Sequence, residues 1–299
     1  MSRKNPPSPP WPPTAPRDDE PWSEAPPAPA APTAEALARR CALDHVLAVI
    51  AGSEWSENLM LRGSMLLRAW YGDDAREPGD LDFVVVPDTI GFFDMPAEQI
   101  LSGVEEAAAR APRADAPTGA PVLFDADGAY WENIWEYGEA PGARLVLLYD
   151  AGDAGDGHVQ VDFAFSEYAA VEPKRTEIPR TDGGPPTTVL AATPELSLAW
   201  KLLWLTNDAP PQGKDLYDAC LLAERVTLPA DLLTEVYEFA DESKATPVTE
   251  AALRDNLADA DLNWDSFRLE LPSTTPSPTP FKDRLLAALR PTFATPEDP

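Results

Sequence analysis

Two carboxylates one residue apart, Asp80 and Asp82, stand at the head of the apolar run Leu81-Asp82-Phe83-Val84-Val85-Val86. Side chains alternate faces along a strand, so Asp80 and Asp82 point one way while Leu81 and Phe83 point the other, into a core. Two adjacent carboxylates repel, and burying them uncompensated is costly. A divalent cation removes much of that cost, and Mg²⁺ is commonly held by one or two carboxylates together with phosphate oxygens and water. A third carboxylate, Asp162, interrupts the apolar stretch HVQVDFAF, with Val161 and Phe163 on the opposite face. If the two strands are neighbours, Asp80, Asp82 and Asp162 converge as metal ligands; a solvated strand edge is the plainer reading of Asp-x-Asp by itself.

Upstream, Gly63-Ser64 separates the strand-like NLMLRG from the helix-like SMLLRAWYG. Glycine permits close backbone approach to a ligand, and a helix start offers a hydroxyl and free N–H groups to an anion. A plain turn is the alternative. Lys201 lies in the otherwise apolar ELSLAWKLLWL, where it either snorkels to water or sets its ammonium against phosphate. Asp215 and Asp218, three residues apart in GKDLYDACLL, share a helical face beside Lys214, as helix-capping partners or as site residues. No GK[ST] phosphate loop and no Cys/His zinc spacing occur, and His45 and His158 read as structural or solvated.

The elements that must position these groups follow from periodicity. Thr33 is an N-cap without a capping box, Leu43, Leu47 and Ile50 recur at helical spacing, and Gly52 is the stop. DLDFVVVPD reads as a strand closed by Pro87, AEQILSGVEEAAARA as a helix ending before Pro112, and residues 144–165 as a β-hairpin around AGDAGDG. GGPPTTVLAATPE reads as a connector into a helix with Pro194 in its first turn. Trp131 and Trp135 fit one helix face at i, i+4, as do Trp200 and Trp204. Further helices are expected over GKDLYDACLLAERV, DLLTEVYEFADES and PFKDRLLAALRP, with PSTTPSPTP as a linker. The fold expected is α/β (α+β): a mixed-sheet core over 34–190, a helical portion over 191–290, a Pro-rich disordered tail over 1–33 and a frayed end over 291–299.

The 299 residues carry 51 acidic against 23 basic side chains, a net charge of −28. Such a chain repels phosphate backbones on average, so nucleic-acid contact requires a local basic patch. The two cysteines, Cys41 and Cys220, lack a disulfide spacing. No apolar run reaches a membrane span, and the N-terminus lacks a secretory h-region. The expectation is a cytoplasmic protein with no membrane partner.

The order strand, Gly-Ser, helix, loop, Asp-x-Asp strand resembles the nucleotidyltransferase superfamily, and within it the AbiEii/AbiGii toxin-like family. LRGSMLL is similar to the family's Leu-Lys-Gly-Gly segment, with Arg62 for the lysine and Ser64 for the second glycine. REPGDLD matches its Arg-x-Ser-x-Asp-x-Asp segment at Arg76, Asp80 and Asp82, with Pro78 in place of serine. VQVDFAF resembles the third-carboxylate strand, and Lys201 and Lys214-Asp215-x-x-Asp218 resemble the two later helices. LTNDAPPQ lacks the arginine many relatives carry there. The resemblance covers roughly residues 35–225. It implies a nucleotidyltransferase core with a mainly helical C-terminal portion, and transfer of a nucleoside monophosphate from an NTP to RNA, tRNA or protein. It further implies Mg²⁺, two ions, on Asp80, Asp82 and Asp162, catalytic roles for these with Lys201 and Asp215, and nucleotide binding by Gly63, Ser64, Arg62 and Lys214. A toxin–antitoxin or phage-defence setting with a cognate antitoxin follows from the same resemblance. A small-molecule nucleotidyltransferase for a cationic acceptor, and a non-catalytic binding module, remain as alternatives.

Overall fold

The structure, a computed structural model, describes residues 33–115, 121–134, 141–208, 210–240, 248–259, 262–267 and 277–294. The chain enters through α1 (Ala34–Ala51), where the Thr33 hydroxyl accepts from the Ala36 N–H at 3.1 Å, the capping expected of it. β1 (Leu59–Arg62), α2 (Ser64–Tyr71), β2 (Leu81–Val85) and α3 (Met95–Arg110) follow in the expected order. Next come the short β3 (Arg113–Ala114) and β4 (Val122–Phe124), then β5 (Tyr130–Ile134), β6 (Gly142–Asp150) and β7 (Asp156–Ala164). β6 and β7 are the expected hairpin, paired from Gly142↔Ala164 to Asp150↔Asp156.

The sheet departs from the sequence reading in two places. β8 (Lys174–Ile178) and β9 (Thr187–Ala191) pair antiparallel, and β9 lies parallel to β1. The stretch read as a connector is therefore partly sheet; its β-branched Thr187, Thr188 and Val189 were outweighed by the glycines and prolines before them. Trp131 is the second departure. It lies on strand β5 opposite Leu145, not on a helix, and its indole N–H donates to Glu105 at 2.7 Å. A five-residue segment is too short for spacing alone to separate the two periods; Trp135 lies outside the described residues.

The sheet runs β3-β4-β6-β7-β2-β1-β9-β8, with β5 also on β6. Its centre mixes parallel and antiparallel pairs: β2 is parallel to β7 and antiparallel to β1. Phe83 and Phe163, opposite each other on these central strands, are fully buried with ring centroids 5.9 Å apart. α1 packs across β7 and β9 and against α3.

Five of the remaining helices are α4 (Pro194–Asn207), α5 (Gly213–Ala223), α6 (Ala230–Ala240), α7 (Glu250–Asp259) and α8 (Trp264–Phe267); α9 (Thr279–Ala288) and α10 (Arg290–Phe293) close the chain. Thr193 caps α4, accepting from the Leu196 N–H at 3.2 Å, with Pro194 in the first turn as expected. α4 is buried on nearly every side because it touches α5, α6 and α7. α5 meets α9 across Tyr217, Trp264, Phe267 and Phe281, whose ring centroids lie 5.2–5.8 Å apart. Fraying was expected from Pro291, but α10 carries the helix on to Phe293, anchored by buried Leu289 and Thr292, and proline is tolerated in its first turn. The Pro-rich segment 1–32, most of the linker after Leu271 and residues 295–299 lie outside the described residues. Among the described residues no helix is long and apolar enough to cross a membrane.

Leu285 of α9 is fully buried at the contact with α5. Leu285→Ala is expected to lower unfolding free energy by about 2–4 kcal/mol in urea titrations, whereas a loosely attached helix would shift it by less than about 0.5 kcal/mol.

Candidate active site

Register across the four central strands builds the site. Arg62 of β1 lies opposite Asp82 of β2, Asp82 opposite Asp162 of β7, and Asp162 opposite Arg144 of β6. Directly paired residues share a sheet face. The result is a row of side chains, Arg62, Asp82, Asp162, Arg144, with the two carboxylates in the middle. Leu81, Phe83, Val161 and Phe163 alternate onto the opposite face.

Gly63 follows Arg62 and makes the turn into α2 at φ 81°, ψ −156°, a conformation that side-chain-bearing residues rarely adopt. A Cβ on Gly63 would lie 2.4 Å from Asp82 Oδ2. The glycine therefore serves twice, turning the chain and leaving room for the carboxylate. Burial, reinforced by Asp80 and only partly offset by Arg62, pushes the Asp82 carboxyl up to about 7, with Asp162 adding to the rise.

The row forms one wall of a cleft of about 640 Å³. Of the residues singled out in the sequence, Arg62, Gly63, Asp80, Asp82, Asp162, Lys201, Lys214 and Asp215 all line it. Ser64 does not: it is buried behind Gly63, and its Oγ has no hydrogen-bond partner among the described residues.

α4 and α5 bring a second charged group to the cleft. Lys201 Nζ donates to Asp215 Oδ1 at 2.7 Å and lies 3.2 Å from Asp218 Oδ2. Arg76, from the loop before β2, grips the other side of Asp218, at 3.2 Å from Nε to Oδ1 and from Nη2 to Oδ2. Burial presses the Lys201 ammonium toward neutrality, but Asp215 and Asp218 outweigh it and raise its pKa, so it stays charged. The Trp204 ring sits between two cations, with Arg62 at 5.1 Å and Lys201 at 5.0 Å from its centroid. Arg62 also pairs with Glu167 and stacks over Trp200 at 5.5 Å. Lys214 lines the same cleft and makes no ion pair among the described residues.

The three carboxylates share one cleft, but they do not form a three-ligand cluster. Arg144 holds both oxygens of Asp162, Nε to Oδ1 and Nη2 to Oδ2, each at 2.7 Å. Among the described residues no group of three or more His, Cys, Asp or Glu side chains is arranged to hold a metal ion. The sequence reading missed Arg144. Its signal was an arginine in the apolar run ARLVLLYD, on a strand due to pair with that of Asp162. Glu167 was missed as a cleft residue too, and Trp200 and Trp204, whose spacing indicated only a shared helix face, both line the cleft.

Residues 45–293 match the model of the family described as "Nucleotidyl transferase AbiEii toxin, Type IV TA system". The chain belongs to the AbiEii nucleotidyltransferase toxin family. No curated protein sequence matches it. Among solved structures it is similar to MenT4, a nucleotidyltransferase toxin of Mycobacterium tuberculosis H37Rv, with 17% identity and a TM-score of 0.56 over 88% of this chain and 85% of that one. A protein of H. pylori assigned as a nucleotidyltransferase gives 15% identity and a TM-score of 0.47 over 82% of this chain and 88% of that one. The first of these likenesses supports the fold expected of an AbiEii family member, a mixed sheet with helices after it.

The raised Asp82 carboxyl makes a prediction about this AbiEii site. A carboxyl whose pKa rises on folding favours the folded state while protonated, and that contribution is lost as pH climbs from about 4 through about 7. Asp82→Asn removes the dependence. Its stability relative to wild type should therefore grow by roughly 1–3 kcal/mol between pH 5 and pH 8, read from urea midpoints without added metal. A pH-independent difference would contradict the crowding of charge at Asp82.

Proposed function

We propose that the cleft transfers a nucleoside monophosphate from an NTP to an RNA acceptor, tRNA ends included, and that Asp80 and Asp82 hold Mg²⁺ for the reaction. The observation that carries the reading is the crowding of Asp82 against Asp80, Asp162 and the Gly63 backbone on one wall of the cleft. Two carboxylates with little compensation suit a divalent cation that keeps phosphate oxygens among its ligands. When bound, the ion supplies charge neutralisation at the phosphoryl oxygens.

The chain's own residues do the positioning, on which phosphoryl transfer chiefly depends. Gly63 brings backbone close to the triphosphate, and the first turn of α2 offers unsatisfied N–H groups to it. Lys214 is the cleft cation without an ion-pair partner among the described residues, so its ammonium is free to meet phosphate. Lys201 is committed to Asp215 and Asp218, so it acts mainly by fixing the cleft's rear wall. Ser64 Oγ, buried without a partner, is a donor in reserve one residue from the Gly63 turn.

The family description supports a toxin of a type IV toxin–antitoxin system, and the reading includes a cognate antitoxin protein, a cytoplasmic site of action and a role in phage defence. Acceptor class is tested by incubating the protein with each labelled NTP, Mg²⁺ and total RNA. Label should enter RNA, and Asp80→Asn or Asp82→Asn should reduce transfer by about 10²–10³-fold or more. Label entering an aminoglycoside but not RNA would replace the acceptor with a cationic small molecule. A toxic effect that persists in both variants would make the chain a binding module instead.

A further inference from the structure

Asp162 sits where a third metal ligand is expected, yet both of its oxygens are taken. Arg144 binds it bidentately at 2.7 Å and 2.7 Å, the fork geometry in which guanidinium–carboxylate pairs are strongest. The pairing is built into the sheet, because Arg144 and Asp162 are direct partners in the β6–β7 register. Asp162 is nearly fully buried, and Arg144 reaches it from the cleft wall. Nη1 of Arg144 makes no hydrogen bond among the described residues, and Arg144 lines the cleft.

We propose that Arg144 stands in for a second cation: Asp162 anchors the arginine, and the site operates with a single divalent ion on Asp80 and Asp82. A guanidinium cannot be deprotonated under ordinary conditions, so this positive charge is permanent and needs no metal concentration to maintain it. The pair rests on geometry alone; the ion on Asp80 and Asp82 rests on the function proposed above. Asp162 is thus the positioning residue for Arg144, and Arg144 is a fixed counter-charge at the edge of the reacting phosphate.

Mn²⁺ electron paramagnetic resonance tests this in the full chain with a non-hydrolysable NTP analogue and no acceptor, so that turnover plays no part. Two ions in a two-metal site lie about 3.5–4 Å apart and give a spin-coupled spectrum. The wild type is expected to show one uncoupled Mn²⁺ per bound nucleotide, unchanged in Asp162→Asn and lost in Asp82→Asn. Arg144→Gln frees the Asp162 oxygens and is expected to convert the signal to a coupled pair. A coupled pair in the wild type that Asp162→Asn abolishes would overturn the proposal while leaving the transfer reaction intact. No Mn²⁺ bound beyond that held by the free nucleotide would overturn the metal-dependent reading itself, and this proposal with it.

Discussion

Asp218 has no exposed surface, and two cations from different parts of the chain hold it: Arg76 from the loop that leads into β2, and Lys201 from the middle of α4. Asp215 completes the group on the far side of Lys201. Charges this deeply placed are tolerable only when each finds a partner, and removing one member of such a set typically costs about 3–5 kcal/mol because another is left buried and alone. The arrangement fixes which way α4 and α5 face, since no rotation of either helix keeps all four groups paired. It also fixes the loop between α2 and β2. Tyr217 and Arg225 reinforce that tie by bonding the Asp74 carbonyl and carboxylate at 2.8 Å and 2.7 Å. Asp80 leaves that same loop. The helical portion therefore does more than cover the sheet; through Asp218 it sets the approach of the loop that presents Asp80 and Asp82.

The sheet makes the complementary contribution. β2 lies between β1 and β7, and that placement brings Asp82 between Arg62 and Asp162. A row with two carboxylates at its centre is a local conflict in an otherwise apolar sheet, of the kind expected where stability yields to function. Each flanking arginine resolves its side of the conflict differently. Arg144 closes on Asp162, whereas Arg62 turns toward Glu167 and the faces of Trp200 and Trp204. Asp82 is left with the least compensation and with a glycine against it. The charge distribution thus concentrates negative potential at one carboxylate pair.

Much of this was legible in the sequence. Asp80, Asp82 and Gly63 declare themselves because carboxylates and a Gly-Ser step interrupt strongly apolar runs, and such interruptions require a reason. Lys201 and Asp215, which the family resemblance assigns to one site, meet at 2.7 Å. What stayed hidden depends on neighbours that spacing does not reveal. β9 buries only Val189 and Ala191, an alternation that its residue types Thr-Thr-Val-Leu-Ala do not spell out, and its flanking glycines and prolines look like a loop. Trp131 shares its strand with polar Glu132 and Asn133, so its partner β6, not its own pattern, makes it a strand. Arg144 illustrates the same limit: its carboxylate lies 18 residues away and is reached through the hairpin register alone. Ser64 shows the converse, a residue read as facing a ligand whose hydroxyl the helix start turns inward.

If the buried ionic group positions the Asp80–Asp82 loop, disturbing it must be felt in the cleft, although Asp218 does not line it. The direct measurement is the calorimetric Kd of Mg²⁺ with a non-hydrolysable NTP for Asp218→Asn, taken at a temperature where the variant is still folded. The account predicts weaker binding together with lower stability. Loss of stability with an unchanged Kd would show that the ionic group holds the helices alone and leaves the site to the sheet.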